Sequence, residues 1–200
     1  MAAACIDSKS ARISDGAGML ARGIISHCNE LALNLGVTVG ERCQETAELM
    51  RLAPQFQGIP DASDEPQRHL LDELNGAKII GLDTMGLILD EDAGQVILTG
   101  SHGGLVGGGD PASATRGIAV KAAVFHDAGI CPDGSSTSRL PALDLQSIPA
   151  ATVSAMSARI SDAVSVYEDG KMSMINETAE KLGCSVGMTA RDFCSLVAEN

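Results

Sequence analysis

The stretch QVILTGSHGGLVGGGD at residues 95–110 decides the fold, because an apolar run rich in β-branched residues ends there in a loop of small residues. The run predicts a buried strand. The loop that follows holds Ser101, His102 and five glycines: Gly103, Gly104, Gly107, Gly108 and Gly109. Glycine permits positive φ and close backbone approach, so several N–H groups can face one anion. Ligands of open α/β sheets bind beyond the carboxyl ends of strands, which predicts a binding site here. The alternative is a tight turn whose glycines serve packing alone.

On both sides of this stretch, predicted strands alternate with predicted helices. This pattern indicates an α/β fold, a three-layer sandwich with a mixed, mostly parallel sheet and helices on both faces. One domain over residues 1–200 is expected, with a surface loop at 53–66. Strands are predicted at 78–82, 85–90, 95–99 and 119–125, the second and third forming a β-hairpin. Helices are predicted at 42–52, 67–74 and 140–146.

An internal repeat occupies the two ends of the chain. Residues 10–40 and 157–187 align without a gap at an offset of 147, and fifteen of the 31 pairs are identical, beginning with SARISD in both copies. Taken over 3–40 and 150–187, each copy predicts a short strand, a turn and a helix of about five turns. Two copies at the ends of one chain indicate a pseudo-twofold arrangement or two equivalent edges of a sheet.

Charge and composition exclude several classes of partner. The chain has 14 Lys and Arg against 26 Asp and Glu, a formal charge of −12, so it lacks the basic surface that nucleic-acid binding needs. The sequence contains neither a basic run nor a long apolar stretch that would indicate contact with a membrane. No signal-peptide pattern is present and the six cysteines form no CxxC pair, which predicts a reduced, cytoplasmic protein. The motifs GxGxxG and GxxxxGK[ST] are absent, and no metal-ligand spacing is recognisable, so neither a cofactor nor a metal is expected.

Two strand ends bring reactive side chains to one edge of the predicted sheet. Ser101 and His102 follow one strand, and His126, Asp127 and Cys131 follow the next. Sequential strands of α/β folds are usually neighbours, so these residues are predicted to lie near one ligand.

We predict catalytic roles for these residues. His102 is the acid/base, Cys131 or Ser101 is the nucleophile, and the amides of Gly103 and Gly104 are oxyanion donors. Asp127 and His126 complete the predicted catalytic set. Each residue also has a structural interpretation. The imidazoles can bond loop carbonyls or sit satisfied in the core, Asp127 can cap a turn, and Cys131 can be an idle loop thiol.

The pairing of an apolar strand ending in SHG with a next strand ending in DA resembles the caspase, gingipain and CHAT-type cysteine peptidases. The resemblance covers about a third of the chain. It implies that His102 is the base and that Asp127 and Ala128 frame the nucleophile, whose own position holds Gly129, with Cys131 two residues later. The set SHGG, HDAG and SARISD is also similar to that of bacterial proteins of uncharacterised function.

Arg12 and Arg159 occupy the same place in the two SARISD copies, next to a predicted helix cap. A guanidinium suits a carboxylate, so both are predicted to bind substrate, the alternative being an ion pair with Asp15 or Asp162. The sequence therefore predicts a small-molecule hydrolase that acts on an anionic substrate, an amide-like or carboxylated compound. The alternative is a non-catalytic protein that binds an anion or interacts through the same loop. A chain with so few aromatic residues and a repeat at its termini also predicts a homo-oligomer.

Overall fold

The computed structural model describes residues 1–55, 58, 65–105 and 110–200. Gly107, Gly108 and Gly109, and most of the surface loop predicted at 53–66, therefore lie outside the described residues. The strands are β1 (Ala4–Ile6), β2 (Ile25–Cys28), β3 (Arg68–Leu74), β4 (Ala77–Leu82), β5 (Val96–His102), β6 (Ala122–His126), β7 (Ala150–Val153) and β8 (Met172–Ile175). The helices are α1 (Gly16–Arg22), α2 (Glu30–Leu33), α3 (Cys43–Met50), α4 (Arg139–Asp144), α5 (Ala163–Glu168), α6 (Glu177–Lys181) and α7 (Ala190–Glu199).

The described residues form two compact units. The N-terminal unit comprises those within Met1–Asp64 together with Ile130–Ser135. The sheet unit comprises those within Glu65–Gly129 and Ser136–Asn200. The sequence predicts a single domain, whereas the N-terminal unit has a two-stranded sheet and a small apolar core of its own.

The sheet unit contains six strands in the order β3-β4-β5-β6-β7-β8. Strands β4 to β7 are parallel, and β3 and β8 join the two edges antiparallel. Side chains of the central strands alternate between two apolar layers, one shared with α5 and α7 and the other with α4. The predicted α/β class, with a mixed and mostly parallel sheet between helices, is confirmed.

The helix predicted at 67–74 is absent, and Arg68–Leu74 forms the strand β3 instead. β3 pairs with β4 across Asn75 and Gly76, whose φ angles are 52° and 83°. Two successive residues with positive φ make a turn that matches the twist of a hairpin, and Asn-Gly is the preferred sequence for it. The helix prediction is wrong because this pair closes a hairpin instead of ending a helix.

The predicted strand at 85–90 and its hairpin with 95–99 are also wrong. Two 3₁₀ turns, Met85–Leu87 and Asp90–Asp92, occupy this segment, and β5 pairs in parallel with β4 and β6. Asp92 is fully buried and accepts two hydrogen bonds of 2.9 Å from the terminal nitrogens of Arg68. It also accepts the N–H of Leu89 at 2.8 Å, which closes a turn and prevents an extended strand.

The N-terminal unit is built on β1 and β2, which pair antiparallel with Cys5 opposite His27. Its small core contains Ile25, Ala32 and Val37, which lie in or next to β2 and α2. This unit holds the first copy of the repeat. The second copy lies in the sheet unit, where its SARISD turn stands between β7 and α5.

The helix of about five turns predicted in each copy is wrong. α1 ends before Gly23 and α5 before Gly170, and a strand follows each glycine. A Cβ at Gly23 would lie 2.3 Å from the Met19 carbonyl oxygen, and one at Gly170 would lie 2.2 Å from that of Val166. Only glycine allows the chain to leave the helix so abruptly at these points.

The same contacts recur in the two copies at the offset of 147. The Asn29 side chain caps α2 and the Asn176 side chain caps α6, each with a 3.0 Å hydrogen bond. Ser14 and Ser161 both adopt a left-handed backbone, with φ of 62° and 61°. Each copy thus forms a strand, a turn, a short helix, a second strand and a second short helix.

Candidate functional site

The carboxyl ends of β5 and β6 meet at one edge of the sheet, as the sequence predicts. Leu98 pairs with Val124 and His102 with His126, so four residues of β5 span two residues of β6. Such an irregularity re-aims the side chains that follow it. Ser101 and His102 therefore stand at the same edge as His126 and the residue after it.

Gly103 and Gly104 lead the chain away from this edge in close contact with the rest of the sheet unit. A Cβ at Gly103 would lie 2.9 Å from Cγ2 of Thr152 and 3.0 Å from the carbonyl oxygen of Ser136. The Gly103 N–H donates to the His126 carbonyl at 2.9 Å, and the Gly104 N–H donates to His102 Nδ1 at 3.1 Å. Both amides predicted as oxyanion donors are therefore engaged within the chain.

His102 is half-buried and carries its proton on Nε2. Because the Gly104 N–H donates to Nδ1, that nitrogen presents a lone pair, and the neutral ring must be protonated at Nε2. Burial, and secondarily the positive charge of Arg139, lower the pKa of His102 below its ordinary value of 6.5. The imidazole is thus held neutral around pH 7, with one N–H to offer to a ligand.

Arg139 is the functional candidate that the sequence analysis missed. It begins α4, and only 7% of it is exposed. Its Nε donates to the Gly104 carbonyl at 3.1 Å, and one terminal nitrogen donates to that of Ala114 at 3.0 Å. The guanidinium lies over the ring of Phe125, 5.1 Å from its centroid.

This guanidinium has no acidic partner in the part of the chain that the structure describes: no ion pair joins Arg139 to a carboxylate there. Burial lowers the pKa of Arg139 to about 10, so it still carries its charge at neutral pH. Two carbonyls and an aromatic face compensate part of that charge, and no described residue accepts a hydrogen bond from its second terminal nitrogen, which can therefore donate to a ligand. The signal in the sequence is a cation at the first turn of a helix, where the helix dipole disfavours it.

The Ser101 hydroxyl is engaged by the residues that follow β4. The Met85 N–H donates to Ser101 Oγ at 2.9 Å, and the Thr84 hydroxyl lies 3.5 Å from it. Among the described residues, no hydrogen bond joins the Ser101 hydroxyl to His102. The structure does not place this predicted nucleophile next to the predicted base.

His126 and Asp127 are buried, and their polar atoms bond the backbone. The Ala128 N–H donates to His126 Nδ1 at 3.1 Å, and Nε2 donates to the Ala158 carbonyl at 3.0 Å. One Asp127 oxygen accepts the N–H groups of Gly129 and Ala155 at 2.8 and 3.0 Å. Both side chains thereby fix the loop after β6, which matches their structural interpretation.

Cys131 belongs to the N-terminal unit and is 3% exposed. Its thiol donates to the carbonyl oxygen of Ala11 in the first SARISD copy at 3.7 Å. It follows a strained loop in which Ala128, Gly129 and Ile130 all have positive φ, a conformation that a β-branched residue rarely adopts. The thiol is therefore enclosed, which does not fit the accessible nucleophile predicted from the sequence.

The two predicted substrate-binding arginines are exposed and paired with carboxylates. Arg159 makes hydrogen bonds of 3.0 and 2.8 Å with Asp162, the ion pair weighed as its alternative role. Arg12 lies 3.7 Å from Asp133 rather than next to Asp15. The two copies thus share a backbone but not an arginine partner.

No family model, curated protein or solved structure gives a significant match to this chain. Within the described ranges, no three His, Cys, Asp or Glu side chains are grouped as metal ligands would be. The helices of the same residues include none with the length and apolarity needed to cross a bilayer. What the strand ends do offer is two hydrogen-bond donors, Nε2 of His102 and the second terminal nitrogen of Arg139, and the charge of Arg139 is close enough to lower the pKa of His102. Such donors suit a small anion.

Proposed function

We propose that the protein binds a small carboxylate at the carboxyl end of β5, with Arg139 and His102 as the donors. The observation that carries this proposal is that Arg139 is only 7% exposed and that its guanidinium has no carboxylate partner among the described residues. Burying a charge is costly unless an opposite charge meets it. A bound carboxylate would supply that charge and accept hydrogen bonds from the terminal nitrogen that has no carbonyl partner among the described residues.

The net charge of the chain makes a local cation necessary for such a ligand. With a formal charge of −12, the long-range field repels anions. A partly desolvated guanidinium is effective against this field because the attraction of opposite charges is stronger in a low-dielectric environment. The neutral His102 adds an N–H donor without adding a second buried charge.

A hydrolase of the same ligand class, the function predicted first from the sequence, remains a second proposal. The neutral His102 favours it, because an imidazole near neutrality is the usual acid/base. Its Nε2 carries the proton, so in this tautomer the ring is set to act as an acid rather than as a base. The resemblance to cysteine peptidases, and the cytoplasmic location and homo-oligomer predicted from the sequence, are likewise proposals that await their own tests.

Calorimetric titration with acetate, succinate and inorganic phosphate tests the binding proposal. We expect saturable binding of a carboxylate at one site. Arg139→Met should weaken it by roughly 10- to 100-fold, the loss of one charge-assisted interaction. Arg139→Lys, which keeps the charge but loses the planar fork, should fall in between.

The matched control is Arg159→Met, because Arg159 is exposed and already paired with Asp162. It should leave the affinity unchanged. Carboxylate binding that survives in Arg139→Met would refute the proposal, and so would the absence of binding by all three anions.

A further inference from the structure

The outer edge of β1 has no strand beside it in the described part of the chain. Its counterpart at the offset of 147 is β7, which pairs on that side with β6, for example through the Asp127 N–H and the Val153 carbonyl at 2.9 Å. Ile6 is the counterpart of Val153. Among the described residues β1 pairs with β2 alone, so the outward groups of Ala4 and Ile6 keep the shape of a sheet that continues.

An apolar groove of about 490 Å³ lies next to β1, lined by Ala2, Leu31, Leu35 and Pro54 among others. In the sheet unit, helix α4 lies at the corresponding place. Asp144 of α4 accepts the N–H and hydroxyl of Thr178, the counterpart of Leu31, at 2.9 and 2.8 Å. The end of the groove at Leu31 thus corresponds to the place where α4 meets α6 in the second copy.

The SARISD turns show the same difference between the two units, because a contact made in the sheet unit has no described equivalent in the N-terminal unit. In the sheet unit the Ser161 N–H donates to the Gly100 carbonyl of β5 at 2.9 Å. Ser14 has the same left-handed φ, within one degree, although the described residues hold no acceptor for its N–H. A left-handed serine is strained and persists where packing requires it.

One contact of the second copy does have an equivalent within the N-terminal unit. The Ala158 carbonyl accepts a hydrogen bond from His126, and its counterpart, the Ala11 carbonyl, accepts one from the Cys131 thiol. Among the described residues, nothing occupies the places that correspond to β5, β6 and α4. All three elements belong to one continuous stretch, residues 96–144.

We infer that the outer edge of β1 and the adjoining groove, together called the β1 surface, bind a strand–helix segment built like β6 and α4. The strand runs parallel to β1, and the helix lies in the groove. Leu31 stands where the sheet unit has Thr178, so the partner helix carries an apolar side chain where α4 carries Asp144. The inference is independent of the proposed carboxylate site.

A tethered probe tests the β1 surface in the full-length protein. A copy of residues 119–147 is added ahead of Met1, the counterpart of Ile148, with Asp144→Leu in the added copy to match Leu31. Tethering gives the probe a high effective concentration. We expect amide hydrogen exchange at Ala4 and Ile6 to slow by about tenfold or more, because a ladder hydrogen bond now protects these outward amides.

Two variants serve as controls for the extension. Replacing Leu140 and Leu143 by Asp in the added copy removes the apolar face of the helix and should abolish the protection. Leu31→Asp in the N-terminal unit should do the same, while exchange at Ala123 in β6 of the sheet unit stays unchanged.

Unaltered exchange at Ala4 and Ile6 in the extended protein would overturn the inference, because the β1 surface then accepts no strand. It would also be overturned if these amides were already protected in the unmodified protein and light scattering showed a dimer. In that case a second copy of the chain occupies the edge.

Discussion

Replacing Arg139 by Met separates two accounts of this buried cation. The substitution removes hydrogen bonds to the carbonyls of Gly104 and Ala114, each worth about 1.5–3 kcal/mol with a charged donor. It also relieves a burial cost: a pKa lowered from 12.5 to about 10 corresponds to about 3 kcal/mol. The two effects oppose each other, so we expect Arg139→Met to lower the free energy of unfolding of the sheet unit by only about 0–3 kcal/mol.

Amide hydrogen exchange of β5 and β6, in a buffer free of carboxylates, measures this change. Arg159→Met, which removes an exposed pair, should cost about 0–1 kcal/mol and serves as the control. A loss above about 5 kcal/mol for Arg139→Met would refute the reasoning, because the carbonyls and the Phe125 ring would then already compensate the guanidinium fully. Arg139 would then have a purely structural role and would need no bound anion.

Three further predictions concern the same molecule. Gly103→Ala should destabilise the sheet unit by about 1–3 kcal/mol in chemical unfolding, because its Cβ has backbone within 3.0 Å, whereas Gly16→Ala, with open space, should be near neutral. NMR titration should give His102 a pKa below 6.5. Since the unfolded chain then binds the proton more tightly, His102 contributes stability that is full above pH 6.5 and is lost as the pH falls through the folded pKa; a raised pKa would contradict this. Iodoacetamide should label exposed Cys5 before buried Cys131, as followed by mass spectrometry. Fast labelling of Cys131 would contradict this and favour a hydrolase with Cys131 as the nucleophile.

The sequence predicted the fold class and the meeting of two strand ends because both depend on local patterns. A β-branched run ending in small residues marks a buried strand wherever it occurs, and β5 and β6 are neighbours as expected. The repeat could be read from the identical residues of the two copies. Their SARISD turns share a left-handed serine, Ser14 and Ser161.

The errors have two physical sources. Residues 67–74 have an ambiguous apolar pattern, and only the chemistry of Asn75–Gly76 separates a hairpin from a helix end there. The role of Arg139 depends on carbonyls at positions 104 and 114, which are 35 and 25 residues away along the chain. No local window contains that information.

The β3–β4 hairpin also sets an order for the assembly of the sheet. Its strands are joined by two residues, so their pairing closes a very small loop and can form in about 1–10 μs. Each later parallel pair, from β4–β5 to β6–β7, needs a crossover before any ladder hydrogen bond can form. The entropy of closing these loops places them after the hairpin, and the hairpin closed at Asn75–Gly76 offers β4 as the strand to which the parallel core is added.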